Sequence, residues 1–371
     1  MTTLESSTNS ADEGLLLLPP QIQVLRIWDC DEMNLGLHGP LSLQKLVISN
    51  CPKLLCSGSS FPTSLQKLTL IEVNGLETLQ WPIPNLTQLH IESCGDLKDE
   101  VLWPLLAQGH LTHLVVRGTH NFFLASEPSR VDEQDIHRSS RLQELRTDDF
   151  AGVLAAPICH VLSSSLTYLC LEENDEVECF TKQQEEALQN LTSIQKLSIR
   201  DCEKLQSLPA AGISRSLQCL YISNCPAISS LGSLPHSLQQ LKIFDCPTIS
   251  SLVSLPDSLQ QLEISDCLAI SLLGSLPHSL QQLDIYNCPA ISSLGSLPDS
   301  LQHLQISHCQ AISSLGSLPD SLQHLGIYNC RAINSLGSLP DSLQQLDIYS
   351  DNDVLKRQCH KLQGTIPIIC T

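Results

Sequence analysis

Leu217, Leu238, Leu259, Leu280, Leu301, Leu322 and Leu343 stand 21 residues apart, each followed by Leu at +3 and Ile at +5, and six of the seven by Cys at +8. So short and strict a period leaves few folds open. A unit of this size cannot bury its own leucines, so successive units have to stack and share one core. Side chains alternate along an extended segment. In the stretch from Leu238 to Cys246, Leu241 and Ile243 should therefore point inward, and Gln240, Lys242 and Phe244 outward.

The unit matches the leucine-rich-repeat template L-x-x-L-x-L-x-x-N/C. Looser copies begin at Ile22, Leu43, Leu65, Leu86, Leu111, Leu142, Leu166 and Ile194, which makes fifteen units across residues 22–350. The expected fold is an α/β solenoid: a leucine-rich-repeat horseshoe with a parallel concave sheet and a mostly irregular or 3-10 convex side. Fifteen strands at about 4.8 Å give an arc of roughly 70 Å. Residues 1–21 read as a polar, partly disordered lead-in and 351–371 as a C-terminal capping tail.

Each regular unit carries one proline (Pro235, Pro256, Pro277, Pro298, Pro319, Pro340). Proline has no N–H to give a ladder, so these belong to the convex return. Units lengthen mid-chain, with 31 residues from Leu111 to Leu142 and 28 from Leu166 to Ile194. The charged segment from Glu127 to Arg141 reads as a surface loop, and Lys182 to Leu191, rich in helix formers, as a short convex helix.

The formal charge of −19 repels phosphate backbones and anionic lipid, so neither nucleic acid nor membrane is an expected partner. No apolar run approaches the roughly 18 residues that span a bilayer, and the polar opening residues lack the pattern of a signal peptide. The sequons at Asn85 and Asn190 are then chance matches, and the chain reads as cytoplasmic, with the nucleus an open alternative.

Cysteines recur in one slot at Cys30, Cys51, Cys94, Cys202, Cys225, Cys246, Cys267, Cys288, Cys309 and Cys330, and Asn174 and Asp351 fill the same slot elsewhere. Three readings compete: thiols packed at the strand-to-turn corner, disulfides, or a metal ladder. Parallel Cβ vectors and a reducing compartment argue against bridging. No C-x-x-C or Cys/His cluster has zinc spacing. The packing role is favoured, and such thiols should be inert.

No phosphate loop, G-x-S-x-G elbow or H-E-x-x-H helix is present, so the chain reads as a non-enzyme that needs no cofactor. His110 and His113 read as polar surface. Two outward columns carry the candidate binding residues. At +6 stand Ser223, Phe244, Ser265, Tyr286, Ser307, Tyr328 and Tyr349; at +4 stand Tyr221, Lys242, Glu263, Asp284, Gln305, Gly326 and Asp347. His303 and His324 share a further outward column, with His308 nearby, and read either as solvated strand residues or as a pH-sensitive contact patch. Exposed aromatics in a row on a polar sheet fit the anchors of a protein partner. The competing reading is that repeat duplication copied them without selection for contact. Residues 217–350 hold only Lys242 and Arg331 against nine acids, so a partner face should be neutral or basic.

Asn174-Asp175-Glu176-Val177-Glu178-Cys179-Phe180, Gln184 to Gln189 with Leu191 to Leu197, and Cys202-Glu203-Lys204-Leu205-Gln206-Ser207-Leu208-Pro209 resemble the C-terminal leucine-rich-repeat region of cereal nucleotide-binding disease-resistance proteins. The tail from Leu355 through Ile368 is similar to that family's closing segment. The resemblance implies a recognition module of plant innate immunity whose partner is a pathogen effector, a host guard target or a nucleotide-binding receptor domain. The coiled-coil and nucleotide-binding domains of the family have no counterpart here, so its ATP switch maps to no residue. Alternatives are a substrate-receptor or scaffold subunit of a ubiquitin ligase, although no F-box-like segment precedes Ile22, and a non-functional receptor fragment. Leu297 to Gln302 also resembles bacterial effector-ligase repeats, but only about 21 residues follow the repeats, too few for a catalytic domain.

Overall fold

A computed structural model describes residues 19–30, 33–34, 42–52, 54–55, 61–73, 83–95, 102–119, 122–123, 140–209, 213–349, 353–362, 364 and 366–370. The chain forms two compact units, Met1–Leu171 and Glu172–Thr371.

The described strands of the first unit are β1 (Val24–Trp28), β2 (Met33–Asn34), β3 (Lys45–Cys51), β4 (Leu54–Leu55), β5 (Lys67–Val73), β6 (Gln88–Glu92), β7 (His113–Arg117), β8 (Glu144–Thr147) and β9 (Tyr168–Glu172). All but β2 and β4, which pair with each other, lie side by side in chain order as a parallel sheet. The second unit holds β10 (Lys196–Arg200), β11 (Cys219–Ser223), β12 (Gln240–Phe244), β13 (Gln261–Ser265), β14 (Gln282–Tyr286), β15 (His303–Ser307), β16 (His324–Tyr328), β17 (Gln345–Tyr349) and β18 (Ile368–Cys370), again parallel and in chain order. Each unit is a leucine-rich-repeat solenoid. Every repeat start read from the sequence is followed two residues later by a strand. The tail adds one more strand, β18, where no repeat template is present.

The register pairs like with like. Leu220, Leu241, Leu262, Leu283, Leu304, Leu325 and Leu346 form one column, and Ile222 through Ile348 another. Both columns are buried, together with Leu238, Cys246, Ile249 and Leu252 of a typical repeat and their equivalents. The core is thus a stack of aliphatic rungs in which each side chain is sheltered by the rung on either side, the nearest-neighbour architecture of a repeat protein.

One residue ends most of the strands. Asp29, Asn50, Glu72, Ser93, Glu173, Asp201, Asn224, Asp245, Asp266, Asn287, His308 and Asn329 have φ between 46° and 56°. Asn and Asp tolerate this left-handed conformation better than other non-glycine residues, which accounts for their recurrence. The turned backbone extends the ladder by one bond: Asp245 N donates to Ser265 O at 3.0 Å, and Asn287 N to Ser307 O at 2.8 Å. Asn side chains reinforce the edge, with Asn224 and Asn287 donating to Asp201 and Asp266, each at 2.7 Å.

On the far side of each repeat the prolines lie outside the ladder. Their carbonyls accept from the next repeat's leading leucine, as in Leu238 N to Pro235 O at 3.1 Å. The serine before that leucine reaches back one repeat: Ser237, Ser258, Ser279, Ser300, Ser321 and Ser342 donate to Leu217, Leu238, Leu259, Leu280, Leu301 and Leu322 O, each at 2.7 Å. Among the described residues the 21-residue returns are turns and bends without a 3-10 run, so of the two forms expected for the convex side it is the irregular one that is present.

Helices occur where repeats are longer, because a 21-residue unit has no chain to spare after its strand and corner. They are α1 (Leu102–Ala107), α2 (Phe150–Val153) and α3 (Ala156–Leu162) in the first unit, and α4 (Lys182–Asn190) and α5 (Asp353–Leu362) in the second. The expected helix near Lys182 is present as α4, started by a capping box in which Thr181 and Gln184 exchange side-chain and backbone bonds at 3.3 and 2.9 Å. The expected loop near Glu127 lies, up to residue 139, outside the described residues, as do residues 1–18 of the lead-in.

Candidate functional site

The cysteine slot has a structural task. The thiols of Cys225, Cys246, Cys267, Cys288, Cys309 and Cys330 are fully buried, and each donates to the carbonyl two residues earlier at 3.2 to 3.4 Å. Several also reach a carbonyl of the preceding repeat, as in Cys309 Sγ to Ile285 O at 3.8 Å. Thr119 fills the slot with the same bond, to Arg117 O at 3.1 Å. Burial opposes the thiolate, pushing Cys267 up to about 12 and Cys288 to about 11. Cys202 and Cys246 are also raised, first by hydrogen bonding to Cys225 and then by burial. The described cysteines are free thiols. Among the described residues no three His, Cys, Asp or Glu groups are placed to hold a metal ion.

The solvent face of the second unit's strands is a different environment. The outward residues of β11 to β17 alternate with the buried leucine and isoleucine columns, and the parallel register sets them in rows across the strands. The candidate residues divide into two groups. Toward β10, Arg200 stacks over the Tyr221 ring at 4.5 Å, and Tyr221 and Phe244 lie 5.2 Å apart. Beside them Lys242 Nζ meets Glu263 Oε2 at 2.7 Å, and Gln240 donates to Gln261 at 2.7 Å. Lys242 and Glu263 neutralise each other at a surface where such a pair contributes little.

The second group spans β14 to β17. His303 Nε2 lies 3.1 Å from Asp284 Oδ1, His324 Nε2 lies 2.9 Å from Asp347 Oδ2, and the two imidazoles meet edge to face at 4.3 Å. Gln282 and Gln345 donate to Oδ2 of Asp284 and Asp347 at 2.6 and 2.8 Å, and the Tyr328 hydroxyl donates to Asp347 at 3.4 Å. A side chain at Gly326 would collide with the Tyr328 ring, since an added Cβ would stand 2.9 Å from its Cε2. This glycine is what lets the ring lie down across the strand. Burial, then the charges of Asp284 and Glu263, push the Tyr286 hydroxyl up to about 12. Tyr328 is raised by burial and by Asp347.

Two sequence expectations need correction. The aromatic row is not uniformly exposed: Phe244, Tyr286 and Tyr328 are half-buried against their neighbours, and only Tyr349 stands open, at 65%. Asp284 and Asp347 are not surface carboxylates either, because flanking glutamines, histidines and tyrosines leave them 5% and 8% exposed. His308 does not join the histidine pair. It occupies the left-handed strand-end position and contacts Ser307 at 2.8 Å and Asn329 at 3.1 Å.

The first unit has outward polar residues of which sequence reasoning singled out only His113, as polar surface. His90 meets Glu92 at 3.0 Å, Glu144 holds Arg146 at 2.7 Å and His113 at 3.5 Å, and Arg146 lies 5.3 Å over the Tyr168 ring. The looser spacing of these repeats hid their alignment; the signal was Arg146 and Tyr168 at +4 and +2 of successive units.

No family model matches the chain, and no curated protein matches it. Solved structures similar to it include CroV588, a novel circular leucine-rich-repeat protein, at 18% identity and TM-score 0.45 over 85% of this chain and 52% of that one. A leucine-rich-repeat protein of Leptospira interrogans is similar at 18% identity and TM-score 0.40, over 92% of this chain and 95% of that one. The chain spans about half the length of CroV588.

Proposed function

We propose that the chain is a protein-recognition module of plant innate immunity. In this reading it acts in the cytoplasm as a binding protein without chemistry of its own, sensing a pathogen effector or host target through the open sheet face of the second unit and regulating a nucleotide-binding receptor. The observation that carries the binding role is the outward row of Phe244, Tyr286, Tyr328 and Tyr349, set beside a cluster of acids and histidines on a face whose backbone bonds are already used in the ladder. Such a face offers side chains rather than backbone, and aromatic anchors rimmed by polar groups suit protein contacts. The immune setting is supported by the resemblance of Asn174 to Pro209 and of the tail to cereal disease-resistance receptors.

The test is capture from cereal extract with the wild-type chain and with a variant in which the four aromatics are alanine, followed by reconstitution with the purified partner. Affinity lost at least tenfold in the variant, for a partner that is an effector, its host target or a receptor domain, supports the reading. Undiminished binding by the variant overturns the assignment of the face.

A further inference from the structure

The two buried carboxylates sit in identical strands. Gln-Leu-Asp-Ile-Tyr occurs at 282–286 and again at 345–349, on β14 and β17, three strands apart. At a spacing of about 4.8 Å per strand the two sites stand about 14 Å from each other. Each carboxylate has a glutamine from its own strand on Oδ2 and a histidine from the adjoining strand, so that Asp284, His303, His324 and Asp347 run in a line. In both, the buried Oδ1 has no hydrogen-bonding partner. At Asp284 the histidine nitrogen is near that oxygen, at 3.1 Å, without forming a hydrogen bond to it. At Asp347 the paired strand β18 places Cys370 in register with the acid.

A tyrosine flanks each site, Tyr286 at Asp284 and Tyr328 at Asp347. Among the described residues neither carboxylate is paired with a lysine or arginine, and Lys242, the one lysine or arginine on β11 to β17, is held by Glu263. A carboxylate with an unused oxygen beside an aromatic ring is the complement of a guanidinium, which binds carboxylate through a planar fork and lies on ring faces. An imidazole can be replaced as donor by such a group, because a charged donor is the stronger one.

We propose that Asp284 and Asp347 receive two arginine side chains of an extended partner segment, with His303 and His324 giving up the carboxylates to them. An extended chain rises about 3.3 Å per residue, so a span of about 14 Å corresponds to arginines four apart, Arg-x-x-x-Arg, which alternation places on one face. The inference rests on the reading of this sheet face as protein-binding and narrows the partner to a basic, extended segment crossing the strands.

The probes are fluorescein-labelled Gly-Arg-Ser-Thr-Ser-Arg-Gly, its analogue with both arginines replaced by citrulline, and a version with arginines three apart. Fluorescence anisotropy with the full chain at physiological salt should show the first binding at least tenfold tighter than the citrulline peptide and about fivefold tighter than the odd-spaced one. These comparisons need no mutant. Asp284→Asn and Asp347→Asn should each remove most of the arginine preference, Glu263→Gln should leave it, and His303→Gln should not weaken it. Equal binding of the citrulline peptide, no measurable binding of the arginine peptide, or equal losses in Glu263→Gln and the Asp variants would overturn the proposal. Absent arginine preference with partner capture still dependent on the four aromatics sinks this inference alone. Spacing-dependent arginine binding with capture indifferent to the aromatics sinks the broader reading instead.

Discussion

Leu283→Ala should damage three strands, although it alters one. Leu283 lies on β14, fully buried, in register with Leu262 on β13 and Leu304 on β15, which are also fully buried. Truncating a core leucine costs about 2 to 5 kcal/mol, more where the cavity cannot collapse. Here the backbones on both sides are pinned by ladder bonds and by the serine bonds from Ser279 and Ser300 at 2.7 Å, so a loss of about 3 to 5 kcal/mol is expected. Because the leucine's surroundings belong half to each neighbour, the loss should spread. Urea denaturation gives the total, and hydrogen exchange resolved by mass spectrometry gives the distribution. Amides of β13, β14 and β15 should exchange faster, while β7 and β8 in the first unit keep their protection. Gln281→Ala, an exposed neighbour, should stay within about 0.5 kcal/mol. A loss below about 1 kcal/mol, or faster exchange confined to β14, would refute the shared-core reasoning.

Other consequences are open to simple measurement. In native protein at pH 8, the exposed Cys179 should react with a thiol reagent within minutes, whereas the row from Cys225 to Cys330 should react only on unfolding; fast labelling of that row would show an open corner. Stability should fall in alkali. The unfolded chain releases thiol protons near the ordinary value of 9 while folded Cys267 and Cys288 keep theirs to about 12 and 11, so stability is full below pH 9 and declines from there through those values. The slope is about 1.4 kcal/mol per pH unit for each thiol, read as a denaturation midpoint under reducing conditions, and Cys267→Ala with Cys288→Ala should make it shallower, the other raised thiols keeping the remainder. A wild-type midpoint constant from pH 8 to 11 would contradict the burial. Thr181→Ala should cost about 1 kcal/mol, with faster exchange limited to the first turn of α4; unchanged exchange there would show the capping box to be idle.

What could be read without coordinates was what repeats. Leucine spacing located the fifteen strands, alternation assigned Leu241 and Ile243 to the core, and the composition of Lys182 to Asn190 marked its helix. The left-handed strand ends were legible too, in the Asp or Asn one residue before eight of the ten cysteines in the slot, but are apparent only once a turn is seen to need that conformation. The serine bonds were less so, since Ser237 and its equivalents look like ordinary turn residues until a carbonyl one repeat away faces them. The burial of Asp284 and Asp347 could not be read from the column alone. It depends on Gln282 and Gln345 in the same strands, on histidines one strand over and, for Asp347, on β18 from a tail without template. Helices α2 and α3 were missed because they occupy a repeat only three residues longer than the regular unit.

A partner held by the aromatic and acidic sheet face of the second unit would shield that face from solvent, and hydroxyl-radical footprinting of the chain, free and saturated with its captured partner, reads this. Oxidation of Tyr286, Tyr328 and Tyr349 should fall severalfold, while Val253 and Leu272, exposed at 65% and 62% on the returns, keep their rates. Protection of Val253 and Leu272 with undiminished oxidation of the tyrosines would place the partner on the other side of the repeats and contradict the account.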